Sequence, residues 1–270
     1  MNKTELDYLK QMRKINREVR QDVNTEVIPV VRAYVAEYTR QPDGTTTDSL
    51  KRTCDGWADV ISNVLSRIVE RWNTPLRRYQ AEQIAQGFVK AAISDADKRQ
   101  DVSVNLYAGN DRISNYMTAA ASQNAKLIQS IPQKYLDQVA NIVEGNMRQG
   151  MRPTHIESQL VQQFGVSERR AKLIARDQHS KIQGDITKLR QEASGIKYFR
   201  WLDSHDQRVR HTHRVIANAD VGFGKGVYRW DQLPKDEKGA PIYPGSPINC
   251  RCVAVPVPES MVKRSGRWRR

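Results

Sequence analysis

The sequence has few cysteines, no long apolar run and no apolar N-terminal segment. Three cysteines in 270 residues are too few for a disulfide scaffold. Cys250 and Cys252 are too close along the chain to bridge comfortably, and Cys54 stands alone. No stretch approaches the roughly 18 apolar residues that a membrane span requires, and residues 1–7 do not resemble a secretory signal. We therefore expect a soluble protein made in a reducing compartment.

Acidic residues are scarce in the second half of the chain. Residues 1–168 carry 22 Lys and Arg against 20 Asp and Glu, whereas residues 169–270 carry 22 against 10. A basic segment of this strength is typical of a polyanion partner, most often nucleic acid. The alternative is a solvated basic face without a partner. A near-neutral half joined to a basic half predicts two separate roles.

The first 150 residues have the apolar periodicity of amphipathic helices. Pro29 is expected to kink or end the first helix, and Pro75 fits the first position of a new one. Large apolar side chains recur at helical spacing in four further groups: Trp57, Val60, Ile61, Val64, Leu65, Ile68 and Trp72; Leu76, Tyr79, Ile84 and Phe88; Ile113, Tyr116, Met117, Leu127 and Ile128; and Tyr135, Leu136, Val139, Ile142, Val143 and Met147.

Residues 150–195 predict a break, a short helix, a turn and a longer helix. Gly150–Pro153 forms the break, Phe164–Ser167 the turn, and Gly195 the end of the second helix. This order fits a helix-turn-helix, and it also fits an ordinary helical hairpin. We favour the hairpin because apolar patterning accounts fully for the second helix.

From residue 196 the pattern changes to short strands and irregular segments. We predict strands at 196–202 and 252–257, a short helix within 207–217 and a long Gly- and Pro-rich irregular connection at 218–249. The expected fold class is α+β, with a mostly helical N-terminal region and a small α+β C-terminal domain of few short strands. The predicted boundaries are 1–150 for the helical region, 151–258 for the C-terminal domain and 259–270 for a basic tail.

A polar cluster in the second half could carry chemistry. It comprises Asp203, His205, Asp206, Arg208, Arg210, His211 and His213, followed by Asn249, Cys250, Arg251 and Cys252. Two cysteines separated by one residue on a strand face the same side, so Cys250 and Cys252 could share a zinc ion. Either His211 or His213, with Asp203 or Asp206, could complete the tetrahedron, and His213 is the histidine candidate that we carry forward. The favoured alternative is a buried network in which Arg208 and Arg210 pair with Asp203 or Asp206.

The same residue types would serve a metal-dependent nuclease or a cysteine nucleophile, but no established catalytic spacing is present. The glycines at 222, 224 and 226 do not form a phosphate-binding loop. We therefore predict no enzymatic activity, no cofactor and no catalytic residue. A basic, aromatic-containing tail suits phosphate contacts and stacking on DNA: Lys263, Arg264, Arg267, Trp268, Arg269 and Arg270.

Order and spacing of several motifs resemble the phage head morphogenesis family typified by protein F of bacteriophage Mu. The resemblance covers about residues 150–256 and begins with Arg-Ala-x-x-Ile-Ala-Arg at 170–176. It continues through Gly195, the strand ending at Trp201, the Asp-x-Arg-x-Arg-x-x-His pattern and the closing Asn-Cys-Arg-Cys. The chain departs from the family pattern at Asp177-Gln178, where Thr-Glu is usual. The motif residues carried over are Arg176, Trp201, Asp206, Arg208, Arg210, His213, Asn249, Cys250 and Cys252.

What this resemblance implies is a non-enzymatic minor head protein of a tailed phage. Such proteins lie inside the virion head in few copies, associate with the portal or the major capsid protein, and take part in head assembly. Some influence DNA packaging or ejection. We therefore expect the helical half to contact a protein partner and the basic half to contact packaged double-stranded DNA without sequence preference. No membrane partner is expected, and the host cytoplasm is the location during assembly.

Overall fold

The chain folds as a helix-rich α+β protein, as predicted. The computed structural model describes residues 1–39, 47–100, 111–149, 151 and 153–262; the predicted basic tail at 263–270 and the side chain of Cys54 lie outside the description. Within these ranges no helix combines the length and the apolar character that crossing a membrane requires. The elements are α1 (Lys3–Asp22), α2 (Ile28–Thr39), α3 (Thr47–Trp72), α4 (Pro75–Gln100), α5 (Asp111–Arg148), α6 (Pro153–Ala193), β1 (Tyr198–Leu202), α7 (His211–Asn218), β2 (Val227–Arg229) and β3 (Val253–Val257).

The chain divides into two compact units, each assembled from separate segments. The helical unit comprises Leu6–Ala85 and Ser122–Ile174. The sheet unit comprises Met1–Glu5, Gln86–Ala121 and Ala175–Arg270. Segments from both sides of residue 150 thus contribute to each unit, because α4, α5 and α6 each supply residues to both.

The helical unit is held together by a continuous aliphatic core. At its edge the indole N–H of Trp72 donates to Asp22 at 2.8 Å, so the polar tip of this large side chain is satisfied. A π-helical turn at Val23–Val27 leads into α2, just before Pro29. The buried core residues are Val19, Val23, Val27, Val31, Ile61, Val64, Leu65, Ile68, Trp72, Tyr135, Leu136, Val139, Val143, Met147, Ile156 and Leu160.

Two predicted helix interruptions are absent. The expected turn at Phe164–Ser167 is wrong, because α6 runs without a break from Pro153 to Ala193, which removes both the helix-turn-helix and the hairpin. Ser167 is buried and donates to Asn16 at 2.6 Å instead of capping a new helix, and Phe164 packs edge-on against Tyr135. These tertiary contacts outweigh the weak helix-breaking tendency of Gly165, about 1 kcal/mol.

Pro132 likewise lies inside α5, where two helices were expected. An internal proline costs about 3 kcal/mol through one lost hydrogen bond and a ring clash. Ile128, Ile131, Tyr135 and Leu136 are buried on either side of it, and this burial keeps the helix continuous.

The sheet unit is built around a three-stranded antiparallel sheet in the order β2-β1-β3. Strand β1 presents Phe199 and Trp201 to the core, and Trp201 lies opposite Ala254 of β3. Phe199 stacks on Trp230 with ring centroids 4.0 Å apart. The prediction that 218–249 is wholly irregular is wrong, since β2 lies within it and pairs with β1. Only three residues pair there, too few to produce a clear alternation in the sequence.

Gln191 of α6 connects this helix to the sheet. Its amide donates to the carbonyl of Ala254 at 3.1 Å and accepts from the indole N–H of Trp230 at 3.0 Å. Two residues after α6, Gly195 adopts φ +72°, and the N–H groups of Gly195 and Ile196 close a helix-ending motif on Glu192 and Gln191. The predicted helix end at Gly195 is confirmed.

The loop at residues 243–252, here called the cysteine loop, packs against α6 through two glycines. A Cβ on Gly184 would overlap the carbonyl oxygen of Pro244 and lie 3.0 Å from the Cα of Gly245. Gly245 has φ +95°, and a Cβ there would lie 2.8 Å from the carbonyl oxygen of Ser180. The loop backbone therefore reaches α6 only because both residues lack a side chain.

We predict that Gly184→Ala destabilises the protein by about 2 kcal/mol or more, because the added methyl group meets backbone that cannot rotate away. The matched control is Gly87→Ala, also within a helix of the sheet unit, where a Cβ would meet nothing within 4 Å. That substitution should stabilise by up to about 1 kcal/mol. Urea unfolding of both variants measures the difference, and equal effects would contradict the close packing.

Candidate functional site

The structure brings Cys250, Cys252 and His213 together in the sheet unit. The Nδ1 atom of His213 lies 3.7 Å from the sulfur of Cys250 and 3.5 Å from the sulfur of Cys252. One ligand atom from each residue lies within 4.8 Å of the other two, and all three residues are buried. The structure therefore brings together the three side chains that the sequence offered as candidate metal ligands.

The cysteine loop is held in place by a carboxylate that the sequence analysis did not assign a role. Asp177 of α6 is buried, and its carboxylate accepts the backbone N–H of Asn249 at 2.8 Å. Asn249 adopts φ +55°, a conformation that asparagine tolerates better than most residues. Lys181 balances the charge of Asp177 at 2.8 Å. The position directly follows the motif at 170–176, which is the one signal that could have identified it.

His213 is positioned by α7 and by the sheet. It lies in the first turn of α7, and its ring packs edge-on against Trp201 with centroids 5.4 Å apart. Trp201 is fully buried on β1. The histidine is therefore fixed against a rigid aromatic core instead of on a free loop.

The two thiols have unequal acidity. A hydrogen bond from the Cys252 thiol, followed by those from His213 and the backbone N–H of Gly245, lowers the pKa of Cys250 despite its burial. The same thiol–thiol hydrogen bond, together with burial, raises the pKa of Cys252. A thiolate beside an imidazole can serve as a metal ligand or as a nucleophile.

Arginines surround the same cluster. A pocket of 230 Å³ is lined by His213, Cys250 and Cys252 together with four arginines. Such a pocket suits an anion, because guanidinium groups bind phosphate and carboxylate oxygens in a fixed planar geometry. The basic lining residues are Arg176, Arg208, Arg210 and Arg251.

The predicted buried network of Arg208, Arg210 and Asp206 is wrong in its partners and its burial. The guanidinium paired with the Asp206 carboxylate is that of Arg251, and this hydrogen bond lowers the pKa of Asp206. Arg210 is exposed and donates to the carbonyl of Ile248 at 2.6 Å. Arg210 thus holds the cysteine loop by its backbone, and its removal does not leave a buried carboxylate unpaired.

The remaining members of the polar cluster do not belong to the group of three ligand atoms, although the charge of Asp203 contributes to the raised pKa of Cys252. Asp203 accepts the backbone N–H of His205 at 2.8 Å, and the ring of His205 lies 2.7 Å from the same carboxylate. His211 is exposed at the start of α7.

A second polar cluster in the sheet unit was not predicted. His179 of α6 is buried; its Nδ1 lies 3.2 Å from Glu5, and its Nε2 lies 3.5 Å from Asp95 and 2.9 Å from the amide of Asn2. Burial raises the pKa of Glu5, but the hydrogen bond and charge interaction with His179 outweigh it and lower the pKa overall. Three segments distant in sequence meet here, so no local pattern could have indicated this cluster.

Comparison with known proteins places this site inside a matched region. Residues 137–255 match the family model described as phage Mu protein F like protein. The chain is also 32% identical over 278 aligned positions to an uncharacterized protein of Haemophilus influenzae strain Rd. That alignment covers 97% of this chain and 56% of the relative, so the chain spans little more than half of the relative's length. No solved structure matches the chain.

The matched region contains the motif at 170–176, His213, Asn249 and both cysteines of the site, in the order that the sequence resemblance anticipated. Residues 137–255 are therefore similar to the phage Mu protein F like family, as the sequence motifs predicted.

Proposed function

We propose that this chain is a minor head protein of a tailed bacteriophage, located in the head interior in contact with the packaged genome and with the portal or major capsid protein. The match of residues 137–255 to the phage Mu protein F like family carries this proposal and supports a role in head morphogenesis. A structural, non-enzymatic role is part of the proposal. Assembly then takes place in the host cytoplasm.

The genome contact is supported by the distribution of charge. The excess of Lys and Arg lies almost wholly in residues 169–270, and the described part of the sheet unit exposes Arg200, Arg208, Arg210 and Arg214. Guanidinium groups that neutralise phosphates release condensed counterions, which gives sequence-independent binding. The helical half of the chain carries little net charge and therefore offers no comparable attraction for DNA. We assign the contact with the protein partner to that half.

We predict that Arg208→Ala combined with Arg210→Ala weakens binding to double-stranded DNA and reduces the salt slope by about 1 per phosphate contact removed. The matched control replaces two exposed arginines of the helical unit, Arg17 and Arg67, and should leave the slope unchanged. Fluorescence anisotropy of a random-sequence duplex at several salt concentrations measures both.

Deletion of residues 263–270 should add to the loss, because it removes five further positive charges. Affinity that is independent of salt, or a sharp sequence preference, would contradict genome binding of this kind. Supercoiled plasmid incubated with the protein and divalent metal ions should stay intact; progressive nicking would favour the alternative of a metal-dependent nuclease.

The location in the head is tested on particles of the phage that encodes the chain. We expect mass spectrometry of purified virions to detect it at a copy number far below that of the major capsid protein. The signal should survive treatment of intact heads with protease and DNase, because the shell excludes both enzymes. Loss of the signal under protease, or absence from DNA-filled heads, would overturn the proposed location. Cross-linking in the same particles should join it to the portal or the major capsid protein.

A further inference from the structure

We propose that His213, Cys250 and Cys252 bind one zinc ion in the sheet unit. With zinc–sulfur bonds of about 2.3 Å and zinc–nitrogen bonds of about 2.05 Å, a tetrahedral ion separates nitrogen and sulfur ligands by about 3.6 Å. The Nδ1 atom of His213 lies 3.7 Å and 3.5 Å from the two sulfurs. Both nitrogen–sulfur distances therefore match the separation that a shared zinc ion requires.

The donor types select zinc over the commoner hard cations. Two thiolates and one imidazole suit zinc, whereas magnesium and calcium take oxygen ligands. The site supplies this set of ligands in a buried location. Among the described residues it is the one group of His, Cys, Asp or Glu side chains whose ligand atoms lie close enough together to hold a metal ion. Two thiolates with a doubly charged ion form a neutral unit, which removes the penalty of burying unpaired negative charge.

Neighbouring groups are arranged to support metal-bound thiolates. The backbone N–H of Gly245 lies 3.4 Å from the sulfur of Cys250 and directs a hydrogen bond to it. The indole N–H of Trp201, whose ring packs against His213, is buried and makes no hydrogen bond among the described residues. Donors of this kind stabilise the deprotonated ligand and fix its orientation.

The fourth coordination position faces the arginine-lined pocket. His213, Cys250 and Cys252 line that pocket together with Arg176, Arg208, Arg210 and Arg251. Asp203 is not among the grouped ligand atoms, and its carboxylate accepts the backbone N–H of His205 and lies 2.7 Å from the ring of that residue. The bound ion therefore has three protein ligands and one position open to water or a small anion.

A metal ion also answers a structural need of the sheet unit. His213 of α7 and Cys250 of the cysteine loop are 37 residues apart in sequence, and a three-stranded sheet with short strands offers limited core to hold the two segments together. An ion that binds both segments converts metal affinity into folding free energy. Zinc binding is independent of the proposed role in the phage head, so either proposal can fail alone.

The test is metal analysis of the full chain, expressed with supplied zinc and purified without a histidine tag. We expect about one zinc per chain, and a loss of at least tenfold in His213→Gln and in the double variant Cys250→Ser, Cys252→Ser. The matched controls are His211→Gln, two residues away on α7, and Cys54→Ser, the third cysteine; both should retain the metal. Absence of zinc from the wild-type protein, or its retention in the His213 and cysteine variants, would overturn the proposal.

A second measurement needs no variant and so does not depend on variant folding. Wild-type protein stripped by a chelator should lose thermal stability and recover it with added zinc. Added cobalt should produce a thiolate-to-cobalt charge-transfer band and the strong visible bands of a tetrahedral ion. A stripped protein with unchanged melting temperature and no thiolate band would show that the cluster is a hydrogen-bonded core.

Discussion

The packing of the cysteine loop against α6 is the interaction on which the candidate site depends. Gly184 and Gly245 allow backbone to meet backbone, and Asp177 receives the N–H of Asn249 from the loop. Tyr243, at the start of the loop, donates to Asp185 of the same helix at 2.5 Å. These contacts hold the cysteine loop against α6. In that position of the loop, Cys250 and Cys252 lie beside His213. The helix α6 thus provides the surface on which the cysteine loop packs.

The aromatic core of the sheet unit provides the opposite wall. Trp201 supports the ring of His213, and Phe199 and Trp230 stack behind it. Gln191 connects this core to α6 through both of its amide atoms. Loop, sheet and helix are therefore linked by interactions that each satisfy a buried polar group. Such a frame suits a site whose geometry must be held within a few tenths of an ångström.

Electrostatics gives the site its character. Thiols of unequal acidity line a pocket together with four arginines. The positive charge of the arginines favours an anion in the pocket. Some of the basic residues of 169–270 therefore line a single pocket of the sheet unit. That pocket lies within the region that matches the phage Mu protein F like family.

Sequence alone determined the α+β class, the helix end at Gly195, the start of α4 at Pro75 and the strands β1 and β3, because these depend on local periodicity and capping. Tertiary structure decided the rest. Burial of Ser167 and of the side chains around Pro132 kept α6 and α5 continuous against local breaking signals. The pairing of Asp206 with Arg251, the capture of Asn249 by Asp177 and the contact of Gly184 with the loop join residues 37 or more positions apart. Spacing along a chain carries no information on such pairs, since only packing brings them within reach.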